Sequence, residues 1–462
     1  MYTVSNGFNP QVAAQGPQAP ANTAPASQAH THLSQTDVQH HISKLLGELS
    51  LKLLHSSDED SVALSSESLA QLLGLMVAAM DDSDKTNREK EKLLGLEKGS
   101  WSPELEKMIH SELGKLSKSH PYQPPNQRSL VATQNFLVSA YQSCEQSLDT
   151  TLKEYYGTEK LVPVGNESVA DRTIEFVKKA THGRVPNVLE GIVSEREQKD
   201  MPFIFGNVLN VDGRWQDPFK SKDTSERWFT CANGNTVKNI QMMEQTGTFR
   251  YKKYCDFFAI AKGLQSDSPD YQVDLIAIIP DKESLYSISD LDCDTLKELT
   301  SNVTRPLCRT SEFCLKLPKI AIDCAMEDLQ TSIEKIQGVK ITSESLVSKL
   351  NFPQSKCGFV ETVQVVKADV NEQGAYVEAK TATRMTRSGG FGAREASFDR
   401  PFFLAIVKTD SNGEQRQLMA SLVQDQRFLV PSENGIEIVN SGSESHSNGF
   451  HSGNIFYDSD SD

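Results

Sequence analysis

Between Val370 and Phe403 the chain reads VNEQGAYVEAKTATRMTRSGGFGAREASFDRPFF. Counted by parity from Ala375, one set is Ala375, Val377, Ala379, Thr381, Thr383 and Met385, all small, β-branched or apolar. The other set, Tyr376, Glu378, Lys380, Ala382 and Arg384, is mostly large and polar. Successive side chains of a strand point to opposite faces, so this stretch suits a strand with one buried and one wet face. It then runs into Ser388-Gly-Gly-Phe-Gly392, the composition of a flexible exposed loop. Two readings fit: a segment that can change state, or an ordinary amphipathic strand followed by a long hairpin loop. No motif proposes conventional catalysis, although a Ser–His–Asp triad assembled by the fold stays open. There is no GxSxG elbow, no HExxH and no P-loop. The glycines of Gly390-Phe-Gly392 do not stand between a strand and a helix, where a phosphate cradle would need them. No catalytic residue is assigned, and no cofactor. No metal site is assigned either: the cysteines at 144, 231, 255, 293, 308, 314, 324 and 357 show neither CxxC nor a paired zinc spacing, and read as free, mostly buried thiols.

The elements that must position this segment divide the chain. Ile42, Leu45, Leu46, Leu49, Leu53 and Leu54 recur at helical spacing. A second, almost wholly apolar helix is expected from Ser68 to Met80, capped by Ser65 or Ser66, and a third from Ile174 to Ala180. Residues 81–100 are strongly charged and suit a surface helix or loop. Beyond residue 200 the period shortens. Strands are expected at Phe203–Leu209, Val273–Ile279, Cys314–Ile322 and Val363–Val370, with a last pair at Phe402–Val407 and Leu418–Val423 around the turn Asp410-Ser-Asn-Gly413. One helical insertion falls at 326–349. Helices early and strands late give an α+β layout with large antiparallel sheets.

Composition sets outer limits. The net charge of −15 argues against a nucleic-acid footprint, which wants a basic face. No run approaches the ~18 apolar residues of a membrane helix, so neither nucleic acid nor membrane is expected as a partner. Residues 1–36 carry no Lys, Arg, Asp or Glu and are rich in Gln, Ala, Pro and Ser. They are expected to be disordered and are no secretory leader, which leaves the cytoplasm or a leaderless export route. The folded domain is expected over 37–423, and 424–462 as an acidic, Ser-rich disordered tail. Asn166-Glu-Ser168 and Asn302-Val-Thr304 match glycosylation acceptors, which carry little weight without a leader.

A set of motifs stands in order along the chain: Leu64-Ser65-Ser66-Glu67-Ser68-Leu69; Phe176-Val177, Thr181, Gly183 and Val185; Asn207-Val-Leu-Asn-Val-Asp-Gly213-Arg-Trp215-Gln-Asp-Pro-Phe219; Gln241-Met242-Met243, Thr246-Gly247 and Phe249-Arg-Tyr251; Leu317-Pro318-Lys319; Val370-Asn-Glu-Gln-Gly374; and Phe398-Asp-Arg-Pro-Phe402. By their order and spacing the chain resembles the serpin family from about residue 40 to 423. Outside the hinge, four positions depart from the family pattern: Ser66 for proline, Ile174 for asparagine, Phe176 for tryptophan and Gln364 for histidine. The resemblance implies a serpin fold with three β-sheets, eight to nine helices and an exposed reactive-centre loop. It implies no enzyme but a suicide-substrate inhibitor of serine-type endopeptidases: a protease cuts the loop, forms an acyl-enzyme and is trapped when the loop inserts as a central strand. Counting from Glu372 by the family's usual loop length places the reactive bond at Ser388–Gly389; Arg387–Ser388, one step earlier, offers a basic specificity residue and is favoured, with a trypsin-like serine protease as partner, and Arg384 and Met385 are the further alternatives; a cysteine protease is the other class admitted, and a monomer is expected. The loop hinge would be Glu372, Gly374, Ala375, Val377, Ala379 and Thr381. Sheet opening would be controlled near Ser65, Ser68, Asn207, Trp215 and Gln364. Tyr376, Val377, Glu378 and Lys380 replace the family's alanine-rich hinge, which keeps open a non-inhibitory member acting as a binding or carrier module.

Overall fold

The computed structural model describes residues 33–56, 61–117, 131–140, 144–180, 183, 203–211, 213–266, 268–305, 307–326, 329–341, 345, 348–350, 361–375 and 394–439. Most of the expected hinge (Val377, Ala379, Thr381) and all of the reactive bond (Arg387, Ser388, Gly389) lie outside them, as do residues 1–32 and 440–462.

Eight α-helices stand among the described residues: α1 (Gln35–His55), α2 (Ser66–Ala79), α3 (Asp84–Leu93), α4 (Pro103–Ser117), α5 (Gln146–Thr151), α6 (Val169–Ala180), α7 (Cys293–Val303) and α8 (Leu329–Gln337). Ser34 starts α1 with a capping box, its hydroxyl accepting from the Asp37 N–H while the Asp37 carboxylate accepts from Ser34. The helix therefore begins two residues before the expected Asp37. Ser65 caps α2, accepting from the Ser68 N–H at 3.2 Å.

The strands are β1 (Val62–Leu64), β2 (Val131–Ser139), β3 (Glu159–Leu161), β4 (Phe203–Val211), β5 (Gly213–Arg214), β6 (Thr224–Thr230), β7 (Thr236–Tyr254), β8 (Phe257–Leu264), β9 (Tyr271–Pro280), β10 (Thr310–Pro318), β11 (Ile320–Met326), β12 (Glu361–Asn371), β13 (Gly374–Ala375), β14 (Arg394–Ser397), β15 (Phe402–Asp410), β16 (Gln415–Val423) and β17 (Glu437–Val439). A ten-stranded network runs β1-β16-β15-β9-β8-β7-β10-β14, with β6 and β17 also on β7. Its long strand β7 pairs with four others, β6, β8, β10 and β17. Its first half pairs with β6 and its end with β8. The other network is the central sheet, β3-β2-β4-β12 with β11 beyond β12, and the short β13 and β5 at one end. The fold is α+β, as expected.

Two boundaries differ from the sequence reading. The alternation Cys314–Ile322 is two strands in different sheets, β10 and β11, because Pro318 closes the first and the chain crosses over at Lys319. The ordered chain also runs past 423. Phe428 and Leu429 are 1 % and 4 % exposed and join the core of the ten-stranded network, and β17 pairs with β7. Phe428 and Leu429 are the buried apolar anchors of this segment, too few for a periodic signal.

The central sheet is covered on both faces, following strand parity. Phe136, Val138, Ile204, Val208 and Val365 pack under α6, whereas Leu137, Phe203 and Phe205 pack under α2 and α5. The α2 face of β4 and β12 also carries Asn207 and Gln364, both buried and polar.

Candidate functional site

The seam between β4 and β12 is parallel and runs from Glu361↔Ile204 to Lys367↔Asn210, with Gln364 directly beside Asn207. Facing strand neighbours point the same way, so both amides meet the start of α2. There Gln364 forms a reciprocal pair with the backbone of Ser65: its Oε1 accepts from the Ser65 N–H (3.2 Å) and its Nε2 donates to the Ser65 carbonyl (3.1 Å). The Ser68 hydroxyl donates to Asn207 Oδ1. Asn207 Nδ2 donates to Asn135 Oδ1 of β2 at 2.5 Å, and Asn135 donates to the carbonyl of Tyr156 at 2.7 Å. The chain of amides thus ties three adjacent strands to α2. Each such bond contributes about 1 kcal/mol net, but leaving one partner buried and unpaired costs ~1–3 kcal/mol, so the cluster favours one closed arrangement over a half-open one. Beside it lies a small cavity lined by Ser68, Gln71, Phe205, Gly206, Asn207 and Gln364, among others. The Gln71 Oε1 atom is buried there without a hydrogen-bond partner among the described residues.

The cluster continues into a charged group under α3 and α4. The Tyr156 hydroxyl pairs with His110 Nδ1 at 2.7 Å, and His110 Nε2 lies 3.7 Å from Glu106. Glu106 meets the fully buried ammonium of Lys90, which also holds Asp82, and Lys349 reaches Asp82 at 3.4 Å. Burial pushes the His110 imidazole below its usual value; Glu106 opposes this while Lys90 and Lys349 add to it. Glu106 is drawn down to about 2: burial pushes it up, but His110, Lys90 and Lys349 outweigh that. His110 is therefore neutral in the fold and must take up a proton on acidification. In the pH window from its folded value up to about 6.5 the unfolded chain binds more protons, so stability rises with pH there and is lost as pH falls. His110→Gln should flatten this part of the profile. Urea midpoints at pH 7.5 and 5.5 check it, and an unchanged difference between the two pH values would clear His110 of the role.

At the other end of the seam β4 and β12 part. Past Lys367 and Asn210 the chain turns at Asn371–Gly374 and returns as β13, which pairs with β12 (Val370↔Ala375) on one side and with β5 (Gly374↔Arg214) on the other. Val370 also pairs with Ile320 of β11. The first two residues of the loop's root thus already lie between the strand after β4 and the strand β12. Gly374 is required there: its φ is +150°, and a Cβ would come within 2.0 Å of the Gly213 carbonyl oxygen. Trp215 stands at this end and not in the amide cluster. Its indole donates to the Asn371 carbonyl (2.8 Å), its backbone N–H to Gln373 (3.0 Å), and its ring packs edge-on against Phe219. Lys262 lies over Trp215, Phe219 and Phe249, donating to the Asp217 carbonyl; burial lowers it to about 8 against the pull of Asp217. Glu372, at the turn, accepts from the Thr224 hydroxyl (2.8 Å) and pairs with Lys319 (3.2 Å). Burial pushes its carboxyl up, but the hydrogen bonds and Lys319 hold it below the usual carboxylate range.

The expected sheet-opening residues therefore fall in two places: Ser65, Ser68, Asn207 and Gln364 in the amide cluster, and Trp215 with Glu372 and Gly374 at the loop root. Sequence reasoning missed Asn135, Tyr156, Gln71 and the Lys319–Glu372 pair. Asn135 left one trace, the amide pair Gln134-Asn135 before the apolar run Phe136-Leu-Val138.

A sheet with a parallel seam, a loop rooted at its end and a capped buried helix beneath it define a class of protein. Three solved structures share the fold: tengpin, a thermophilic serpin in the native state (17 % identity, TM-score 0.64, covering 84 % of this chain and 94 % of that one), native protease nexin-1 with heparin (16 %, 0.63, 85 % and 100 %), and glycosylated human kallistatin (16 %, 0.64, 85 % and 98 %). The profile of the family Serpin (serine protease inhibitor) matches residues 43–414, and the chain belongs to that family. Among its relatives, plasminogen activator inhibitor 1 from Bos taurus is 28 % identical over 52 % of this chain and 58 % of its own length, and serpin B3 from Homo sapiens is 23 % identical over 75 % and 88 %. The chain thus spans little more than half the length of the plasminogen activator inhibitors it matches. Serpins are mostly protease inhibitors rather than catalytic enzymes.

Proposed function

We propose that the chain is a suicide-substrate inhibitor of a trypsin-like serine protease, with no enzymatic turnover of its own, acting as a monomer, with residues 34–439 as its folded domain. One observation carries this reading: β13 already occupies the gap at the end of the β4–β12 seam. Extending its register along β12 puts Val377 opposite Ala368, Ala379 opposite Val366, Thr381 opposite Gln364 and Thr383 opposite Thr362. Every residue on the α2 side is then small and uncharged, while Glu378, Lys380 and Arg384 face the other way. Thr381 comes to the cavity beside Gln71 and Asn207. The parallel seam is replaced by two antiparallel ladders, the better-bonded arrangement. Each inserted residue adds net hydrogen bonding of about 0.5–1.5 kcal/mol, so the uninserted state is held by a kinetic barrier. The amide cluster and the Lys319–Glu372 pair contribute to that barrier.

Cleavage at Arg387–Ser388 would present a basic residue to an acidic specificity pocket. Incubation with trypsin should give a band at the summed mass on a denaturing gel, and Arg387→Ala should weaken its formation by at least ~100-fold, the loss of a charge-paired contact made throughout acylation. Clean cleavage without an adduct would instead support the binding or carrier reading that the altered hinge keeps open.

A further inference from the structure

We infer that residues 429–439 form a C-terminal strap that slows unprovoked insertion of the loop, an inference that rests on the inhibitor reading above. The family match ends at residue 414, and the long strand β16 of the ten-stranded network ends at Val423. The chain beyond Val423 is nonetheless built into the fold. Asp425 caps a short turn over Gln426–Phe428, and Leu429 bridges to Ile320. Val430 then inserts between two chains: its N–H donates to the Lys319 carbonyl (3.1 Å) and its carbonyl accepts from the Gln241 N–H (3.0 Å). The Pro431 carbonyl accepts from the Gln241 side chain (2.8 Å), and Ser432 donates to Asn239 (2.8 Å). After a turn closed by Gly435, β17 lies on Thr236–Lys238, with Lys238 and Glu437 paired at 2.9 Å. The strap fills the edge of β7 that β10, which pairs only from Met242 onward, leaves open.

The meeting point is Lys319, the crossover between β10 in one network and β11 in the other. Its backbone is held by Gln241 (2.8 Å) and Val430, and its ammonium by Gln241 Oε1 (2.9 Å) and Glu372 (3.2 Å). Val430 and Pro431 thus grip both the backbone of Lys319 and the residue that aims its ammonium at the loop root. For more of the loop to insert behind β13, β12 must part from β4, and β11 is laddered to β12 from Ile320 to Met326. The strap pins that pair at Ile320 and Lys319. Contacts present in the closed state and lost in the barrier state slow the transition without directing its end point.

The test incubates three uncleaved proteins at 37 °C and tracks conversion to a form that resists unfolding in a urea-gradient gel: the full chain, a chain ending at Leu429, and a chain ending at Val439. The chain ending at Leu429 is expected to convert on the order of tenfold faster, and the chain ending at Val439 at the full-length rate. In case the shorter chain fails to fold, the full-length double variant Ser432→Pro, Lys238→Glu loosens the strap in place and should convert faster too. Equal rates for the full chain and the loosened variant overturn the strap. The underlying inhibitor reading fails differently: full-length protein nicked in the loop would gain no resistance to unfolding, whatever the state of the strap.

Discussion

Thr381→Arg should leave cleavage of the loop intact and abolish the protease adduct. The argument is one of register. If the loop keeps to the line set by Val370↔Ala375, residue 381 arrives opposite Gln364, over a cluster already closed by Ser65, Ser68 and Asn207. Threonine brings a hydroxyl to a cavity where Gln71 Oε1 lacks a partner among the described residues. Arginine brings a charge to a place with no carboxylate among its lining residues, and an unpaired buried charge costs several kcal/mol. Trapping depends on insertion outrunning deacylation, so ~3 kcal/mol on the insertion barrier slows it by about two orders of magnitude and lets the protease escape. The gel should then show cut protein and free protease in place of the adduct. The neighbouring change Lys380→Ala, on the outer face, should leave the adduct yield unaltered. If Thr381→Arg still traps protease, the register is wrong and with it the proposed path of the loop.

How much of this was legible in the sequence depends on what each signal needs. The periodicity that named α1, α2 and the late strands is local, and the structure places helices and strands where it pointed. Ser65 as a cap was legible for the same reason. The break at Pro318 was not, because the alternation of Cys314–Ile322 continues through it and only the crossover between sheets reveals two strands. Trp215 is expected near the top of the sheet, where insertion starts, and it stands at the loop root, whereas Gln364 lies in the middle of the seam. The distance between the two places depends on the pairing of β12 with both β4 and β13, which no single segment encodes. The Lys319–Glu372 pair joins residues 53 positions apart in two short polar runs, and nothing in either run asks for the other. The strap is the extreme case: one buried apolar residue, Leu429, and a run of backbone hydrogen bonds, which composition does not record.

Glu372→Lys should be the most damaging single change outside the loop itself. The carboxylate is buried at the turn between β12 and β13, with the Thr224 hydroxyl on one oxygen and Lys319 on the other. Its replacement sets two ammonium groups against each other where one ion pair stood. Removing one partner of a buried pair costs ~3–5 kcal/mol; Lys319 keeps some contact with water, which argues for the lower part of that range. The loss falls on the closed state at the loop root, where further insertion would begin. The variant should therefore melt several degrees lower and also convert faster to the form that resists urea. The charge swap Lys319→Glu, Glu372→Lys separates pairing from packing: restoring attraction should recover most of the melting temperature, although Gln241, which now accepts from Lys319, must turn its amide to donate to a carboxylate. Raising salt should narrow the gap between variant and parent, since a partly wetted pair is screened. A single variant that melts and converts like the parent would show that the turn is held by Trp215 and Gly374 alone, and that the ion pair merely accompanies a structure fixed by its backbone.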